Sequence, residues 1–265
     1  MSFAVDAVYR WPVKGLNAEA HESIRLEPDI GVVGDRRLAI ARRRPPGVGW
    51  RPGGEKESSE GVDGDWAPPD RFVALKRSAR LAMLRAALDA DGHVLTLARG
   101  GRQVARGDTR TATGRMVIDQ FLSPFLGDEA PGGARLVRAT AGNLTDVPEP
   151  WVSLVSLDSL DDLARVTRAP VDPLRFRANL YFRGLKPWHE RDWPGRGFRV
   201  GGAVIRVVEP VERCAATEVN PDTAERDMQV LRALSHGFRH TECGVYAEVI
   251  QAGEVRAGDR IEPAG

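Results

Sequence analysis

Cysteine is nearly absent, with only Cys214 and Cys243 in 265 residues. Two thiols cannot form a disulfide framework, and they fall short of the spacings used by zinc sites, iron–sulfur clusters and thioredoxin-type centres. Both are therefore expected to be reduced. Long apolar runs are missing as well. No window approaches the ~18 apolar residues of a membrane span. The stretch from Met1 to Arg10 has no basic region ahead of an apolar core, so a cytoplasmic location is expected. Nor is there an excess of charge of one sign. Against 37 Asp and Glu stand 38 Lys and Arg, a net charge of +1, which supplies no field toward nucleic acid or an anionic membrane. Neither is expected as a partner. No P-loop occurs, and no Gly-x-Gly-x-x-Gly follows a strand, so nucleotide-cofactor enzymes lack support. What the chain does have is 42% hydrophobic residues, enough for a real core in one large or two ordinary domains.

Taken in order, Phe3 to Tyr9 alternates as a strand and closes at Arg10-Trp11-Pro12-Val13-Lys14-Gly15. His21 to Leu26 and Arg36 to Arg42 read as further strands, joined by a turn at Gly31 to Asp35. Arg43 to Asp70 is crowded with Pro, Gly, Ser and charge, as expected of a lid or a disordered loop. Leu81 to Leu88 has helical spacing, but the turn signal Asp89-Ala90-Asp91-Gly92 ahead of Val94 to Ala98 favours a hairpin. Met116 to Leu122 predicts a short helix stopped by Pro124. A domain boundary is expected nearby, followed by a strand at Arg135 to Arg138. Ser156 with acidic residues behind it marks a helix N-terminus. Arg175 to Arg183 alternates strictly, placing Arg175, Arg177, Asn179, Tyr181 and Arg183 on one face. That face is either an ordinary solvated strand face or a row of donors for an anionic ligand. Ala224 to Leu234 predicts a helix capped by Asp227, and Gly244 to Ile250 and Glu254 to Ile261 end the chain as strands.

Cys214 lies beyond the strand-like run Ala203 to Val208 and ahead of the turn Asn220-Pro221-Asp222-Thr223. Arg213 beside it favours the thiolate, and an exposed thiolate at a strand end can bind a metal or carry sulfur. A buried structural cysteine is the plainer alternative. His236 and His240 are spaced for one helix face, but Gly237 weakens that helix and the Glu of a zinc hydrolase is missing. Cys243 is expected to be structural.

Glu209-Pro210-Val211-Glu212-Arg213-Cys214 followed by Asn220-Pro221-Asp222-Thr223 resembles the signature of MOSC-domain proteins, named after the C-terminal domain of molybdenum cofactor sulfurase. Their pattern is Pro-x-x-Arg-Cys and then Asp-Pro-x-Thr, with Asn220 here in place of the Asp. Lys14 and the Asp35-Arg36 pair resemble the N-terminal domain that accompanies MOSC in many members, with Gly15 where Ser is usual. A glycine N–H there could stand in for the missing hydroxyl. The Arg177/Asn179 segment and the two C-terminal strands resemble the family too.

The resemblance implies a mainly β protein with a few short helices. It divides the chain into an N-terminal β-rich domain over 1–125 and a C-terminal MOSC β-barrel over 126–265. It further implies a molybdenum–molybdopterin cofactor in the cleft between them, with Cys214 as catalytic residue and molybdenum ligand. Lys14, Gly15, Arg36, Arg177, Asn179 and Arg213 would bind the cofactor; pyridoxal phosphate is not expected. The implied activity is reduction of N-hydroxylated or related N- and S-oxide small molecules, as in the mitochondrial amidoxime-reducing component and its bacterial relatives. Electrons would come from an external flavin reductase or ferredoxin-like protein, since the chain has no redox fingerprint of its own. The alternative is a sulfur carrier or cofactor-delivery protein with a persulfide on Cys214.

Overall fold

The computed structural model describes residues 3–43 and 66–264, and most of the expected 43–70 loop lies outside the described residues. The first half contains β1 (Phe3–Arg10), β2 (Glu19–His21), β3 (Ser23–Glu27), β4 (Gly31–Val32) and β5 (Leu38–Arg42). After them come β6 (Leu84–Leu88), β7 (Val94–Arg99), β8 (Arg102–Asp108), helix α1 (Ala112–Leu126) and β9 (Ala134–Arg138). The second half begins with β10 (Val152–Ser156), α2 (Leu157–Thr167), β11 (Leu180–Arg183) and β12 (Gly197–Val200). It continues through β13 (Ala203–Glu212), α3 (Val230–Phe238), β14 (Glu242–Gln251), β15 (Gly253–Arg256) and β16 (Arg260–Pro263). The protein is mainly β, as its strand patterning implies.

A closed seven-stranded barrel runs β11-β10-β14-β13-β12-β16-β1 and returns to β11, with β2 added beside β1. Its one parallel pair is β10 with β11. Parallel neighbours need a crossover, and α2 supplies it, its first turn capped by the Ser156 hydroxyl accepting from Ser159 N. Along β13 the inward residues Ala203, Ile205 and Val207 are buried while Arg206 points outward to Glu248. Phe3, Phe182, Trp193 and Phe198 pack inside with ring centroids 4.6–6.1 Å apart, since a barrel this narrow is filled by side chains. Register shifts along β13 and β14 fall at Val207/Glu209 and Pro210/Glu212. Proline is tolerated there because the ladder is already interrupted, and such bulges re-aim the end of the strand.

The second body pairs β5 with β9 and stacks α1 on the meander β6-β7-β8. Gly100 and Gly101 join β7 to β8 at φ 56° and 77°, the two positive values that a two-residue hairpin requires. Gly107 and Gly114 let α1 touch the β8 backbone: a Cβ on Gly107 would lie 2.1 Å from Gly114 O. Strand pairing runs across the expected division at residue 125, because β1 belongs to the barrel and β9 to the β5 ladder.

Three local expectations differ from the structure. Helix α1 continues through Pro124 to Leu126. Proline removes one hydrogen bond near the helix end, while Ile118, Leu122 and Leu126, all fully buried, hold the last turns against the core. The Arg175–Arg183 segment is a strand only from Leu180. Asp172 caps a 3-10 turn over Pro173–Phe176, and Arg177 at φ 54° breaks the alternation. The helix expected from Ala224 begins instead at Val230, because Ala224 is left-handed at φ 62°. Asp227, rather than capping, accepts from Arg175 and from Asn220.

Among the described residues no helix is long and apolar enough to cross a membrane.

Candidate functional site

The segment after β1 is pinned before it reaches Lys14. Trp11 N donates to Asp35 Oδ1 at 2.7 Å, and its indole Nε1 donates to Ala178 O at 3.0 Å. Lys14 N then bonds Leu38 O at 2.7 Å, leaving the Lys14 side chain buried beneath Phe72. Its Nζ donates to Leu144 O at 3.0 Å and to Asp146 Oδ1 at 2.6 Å. Burial lowers the Lys14 pKa; Asp146 opposes this, and Arg36 and Arg177 add to it.

Arg36 and Arg177 both take left-handed backbone conformations, at φ 43° and 54°, which costs energy for a residue with a Cβ. Both are held by hydrogen bonds. Arg36 N donates to Trp11 O at 2.7 Å, and its guanidinium bonds Asp35 and, at 2.9 Å, Arg177 O. The Arg177 guanidinium stacks 4.1 Å over the Trp11 ring and donates through Nη1 to Leu16 O at 2.7 Å. Among the described residues its Nη2 has no hydrogen-bond partner, and neither does Nε of the neighbouring, 5% exposed Arg175. Burial, and next the Arg36 charge, push the Arg177 pKa down to about 9, so the group stays cationic at neutral pH. Lys14, Arg36 and Arg177 thus surround two carboxylates, Asp35 and Asp146, and leave a surplus of positive charge.

Cys214 approaches from the barrel. Arg213 fixes the exit of β13: its N donates to Thr241 O at 2.9 Å, and its guanidinium bonds Cys243 O at 2.6 and 2.8 Å and Phe176 O at 2.8 Å. The Arg213 charge expected to serve the thiolate is therefore engaged with backbone carbonyls. Cys214 O accepts from Thr217 N at 3.1 Å and Thr217 Oγ1 at 3.0 Å, closing a 3-10 turn, and the thiol is exposed. In the following turn Asn220 Oδ1 accepts from Asp222 N at 2.9 Å and Thr223 N at 3.2 Å. Its Nδ2 donates to Asp227 at 2.6 Å, a bond that the Asp of the family pattern could not donate.

These elements enclose a cleft of about 600 Å³ lined by Lys14, Gly15, Arg36, Arg177, Asn179, Arg213 and Cys214. The structure thus brings every site residue named from the sequence to one cleft. Their jobs differ. Asn179 is a structural pin, its Oδ1 accepting from Ser153 N and Oγ and its Nδ2 donating to Tyr9 O. Gly15, at φ 86°, lets the chain turn beneath Lys14.

Sequence reasoning missed four contributions. Arg175, read from the sequence as part of a strand face that is either solvated or a row of donors, is buried against Asp227 and Glu218 O. Asp146, the Trp151–Tyr246 ring pair and the β13 carboxylates Glu209 and Glu212 also line the cleft. Glu209 and Glu212 stand inside the Cys214 motif, Arg175 inside the alternating segment and Tyr246 inside a C-terminal strand, whereas Asp146 and Trp151 stand in no noticed motif. Elsewhere, Cys243 is fully buried and its thiol is pushed up to about 12 by burial. His236 lies in the last turn of α3, while His240 lies beyond the helix and packs on Trp188, 5.2 Å between ring centroids.

The closed barrel thus presents a cleft with surplus positive charge and one exposed thiol, a combination whose chemistry suits an anionic ligand beside a sulfur nucleophile or metal ligand. Residues 141–262 match the family model of the MOSC domain. Similar solved structures include the YuaD protein of Bacillus subtilis, 11% identical over 99% of this chain and 96% of that one, with a TM-score of 0.45. YiiM of Geobacillus stearothermophilus is 18% identical and YiiM of Escherichia coli 22% identical; each alignment covers 43% of this chain and 54% of that chain, with a TM-score of 0.33. The match thus spans about half the length of the YiiM chains. Comparison with curated proteins returns no match.

Proposed function

We propose that this protein is a molybdenum cofactor-binding oxidoreductase that reduces N-hydroxylated or related N- and S-oxide small molecules, with Cys214 as the protein's ligand to molybdenum. The observation that carries the reading is the convergence of an exposed thiol and a buried cation cluster on one cleft. The MOSC match supports it at the level of the family, which is associated with the molybdenum cofactor. The residues fit such a group. Surplus charge from Lys14, Arg36 and Arg177, with the orphaned Arg177 Nη2, suits a phosphate and a hydrogen-bonding pterin. Among the described residues no group of three or more His, Cys, Asp or Glu is placed to hold a bare ion. A lone thiolate therefore suits a metal whose other ligands arrive with the cofactor.

When bound, the molybdenum centre supplies the two-electron oxygen-atom chemistry. The chain's part is to orient and to shield. Lys14, Arg36 and Arg177 anchor the anionic end, Asn179 and Ser153 keep that wall rigid, and the Thr217-closed turn holds Cys214 toward the space. Reduction of an N-hydroxylated substrate consumes two electrons and two protons and releases one water, so a separate electron-transfer protein must refill the site. Exposed Glu209 and Glu212 at the Cys214 end can relay protons to the departing oxygen.

The test is turnover of an amidoxime with reduced viologen by wild type and Cys214→Ser. Amine-type product from wild type and loss of nearly all turnover in the variant, with an unchanged fold, is expected. Molybdenum-loaded protein that is inactive with the dye but carries a labile sulfur on Cys214 by mass spectrometry would replace this reading with the sulfur carrier.

A further inference from the structure

Beside the cleft lies a second cavity of about 330 Å³. Gly15, Leu75, Arg175, Arg177 and Ala216 line both spaces, so the two share a wall, and Ala216 stands two residues past Cys214. The other walls carry Trp11, Leu16, Leu174 and Val219, with Asn17, Arg85 and Asp222 as their polar members. Interiors are close-packed, and voids larger than a water molecule are few. An apolar space of roughly 150 Å³ already admits a benzene ring, so this one has room for a ring with substituents.

Its edge carries a weak latch. Arg85 donates to Asp222 Oδ1 and to Pro221 O, both at 3.0 Å, and the Arg85 and Asp222 side chains are 45% and 81% exposed. Solvent screening makes such a pair cheap to open. Asp222 belongs to the Asn220–Thr223 turn that follows the Cys214 turn. One loop system thus borders both the reacting sulfur and the mouth of the apolar space.

From this geometry we infer that the smaller cavity is a binding site for an apolar, ring-sized group, and that it receives the non-reacting tail of the substrate while the N–O bond lies in the cleft. The substrate role rests on the reductase reading; the apolar site does not. Arg175 and Arg177 in the shared wall disfavour deep entry by an apolar group on that side, so the polar end of the ligand stays in the cleft and the apolar end in the smaller space.

Benzyl alcohol is the probe, titrated into the full chain with methyl chemical shifts as the readout. Saturable shifts are expected at Leu16, Leu174 and Val219, which line the smaller cavity alone. Ala18→Phe, on the wall of the smaller cavity alone, should abolish them. Absence of saturation, shifts only elsewhere, or equal binding by a folded variant would overturn the site, and if the variant fails to fold the wild-type mapping decides alone. For the substrate role, wild type should prefer benzamidoxime to acetamidoxime in kcat/KM by at least about tenfold, since a filled apolar pocket discriminates on that order. Ala18→Phe should erase that preference. Turnover of both substrates without preference would overturn the tail assignment. No turnover of either would remove the reductase reading and the tail role with it, while the methyl shifts would still decide the apolar site.

Discussion

Replacing Glu190 with Gln should change how stability depends on pH. The Glu190 side chain is fully buried and accepts from the Ser159 hydroxyl at 2.8 and 3.0 Å, and Ser159 itself accepts from Trp188 N. Burial raises its pKa from 4.5 to about 7, and the Ser159 bond only partly offsets this. An acid whose folded pKa is raised binds its proton more tightly when folded. Its contribution is therefore intact below pH 4.5, falls as pH rises toward 7, and is fully lost above 7. At about 1.4 kcal/mol per pH unit the loss is about 3 kcal/mol. His240, whose pKa is lowered by burial and then by Arg191, contributes the opposite slope over part of this range, so the difference between wild type and Glu190→Gln is the diagnostic. Urea unfolding at pH 5, 6, 7 and 8 should show the variant gaining on wild type by about 3 kcal/mol between the ends of the range. A pH-independent difference, or a variant that loses ground to wild type as pH rises, would refute the assignment of a buried, protonated carboxyl.

Arg177→Ala should lower cofactor content per folded chain, since losing a hydrogen bond from a charged group costs about 1.5–3 kcal/mol. Arg183→Ala, which removes exposed pairs with Asp161 and Asp6 away from the cleft, should leave that content within error; pterin fluorescence after denaturation measures both. Gly107→Ala should lower the thermal midpoint, because its Cβ would meet Gly114 O at 2.1 Å and overpacking of this kind costs about 1–3 kcal/mol. An unchanged midpoint would mean that α1 does not rest on β8. Pure protein should not oxidise NADH or NADPH in the presence of an amidoxime, whereas a flavin reductase or ferredoxin-like protein should restore turnover. Robust NADH-driven turnover by the chain alone would contradict the need for a separate donor.

Strands with one buried face were legible because a period of two survives into the structure, as in β1 and β13. The Ser156 cap was legible because its chemistry is local. Harder to read were segments where a side chain's long-range partner overrides local preference. Asp227 resembles a helix cap in the sequence, but Arg175, 52 residues earlier, claims it in the fold. The alternation from Arg175 to Arg183 gave the right residue types and the wrong backbone, because a 3-10 turn and a left-handed Arg177 also bring Arg177 and Asn179 to the cleft. The site was named through motif resemblance. Asp146 has no motif around it, and its role depends on Lys14, 132 residues away. The crossing of β1 into the barrel is likewise invisible until strand neighbours are known, since alternation says which face is buried and not against what.

The central claim is that the cleft holds a molybdenum–pterin group completed by the Cys214 thiolate. It is tested most directly by elemental and pterin analysis of wild type and Cys214→Ser purified from a host that makes the cofactor. Wild type should carry molybdenum near one atom per chain with an equal amount of pterin, and the folded Cys214→Ser protein should show altered molybdenum–sulfur coordination in X-ray absorption. Wild-type protein with neither molybdenum nor pterin would contradict the claim.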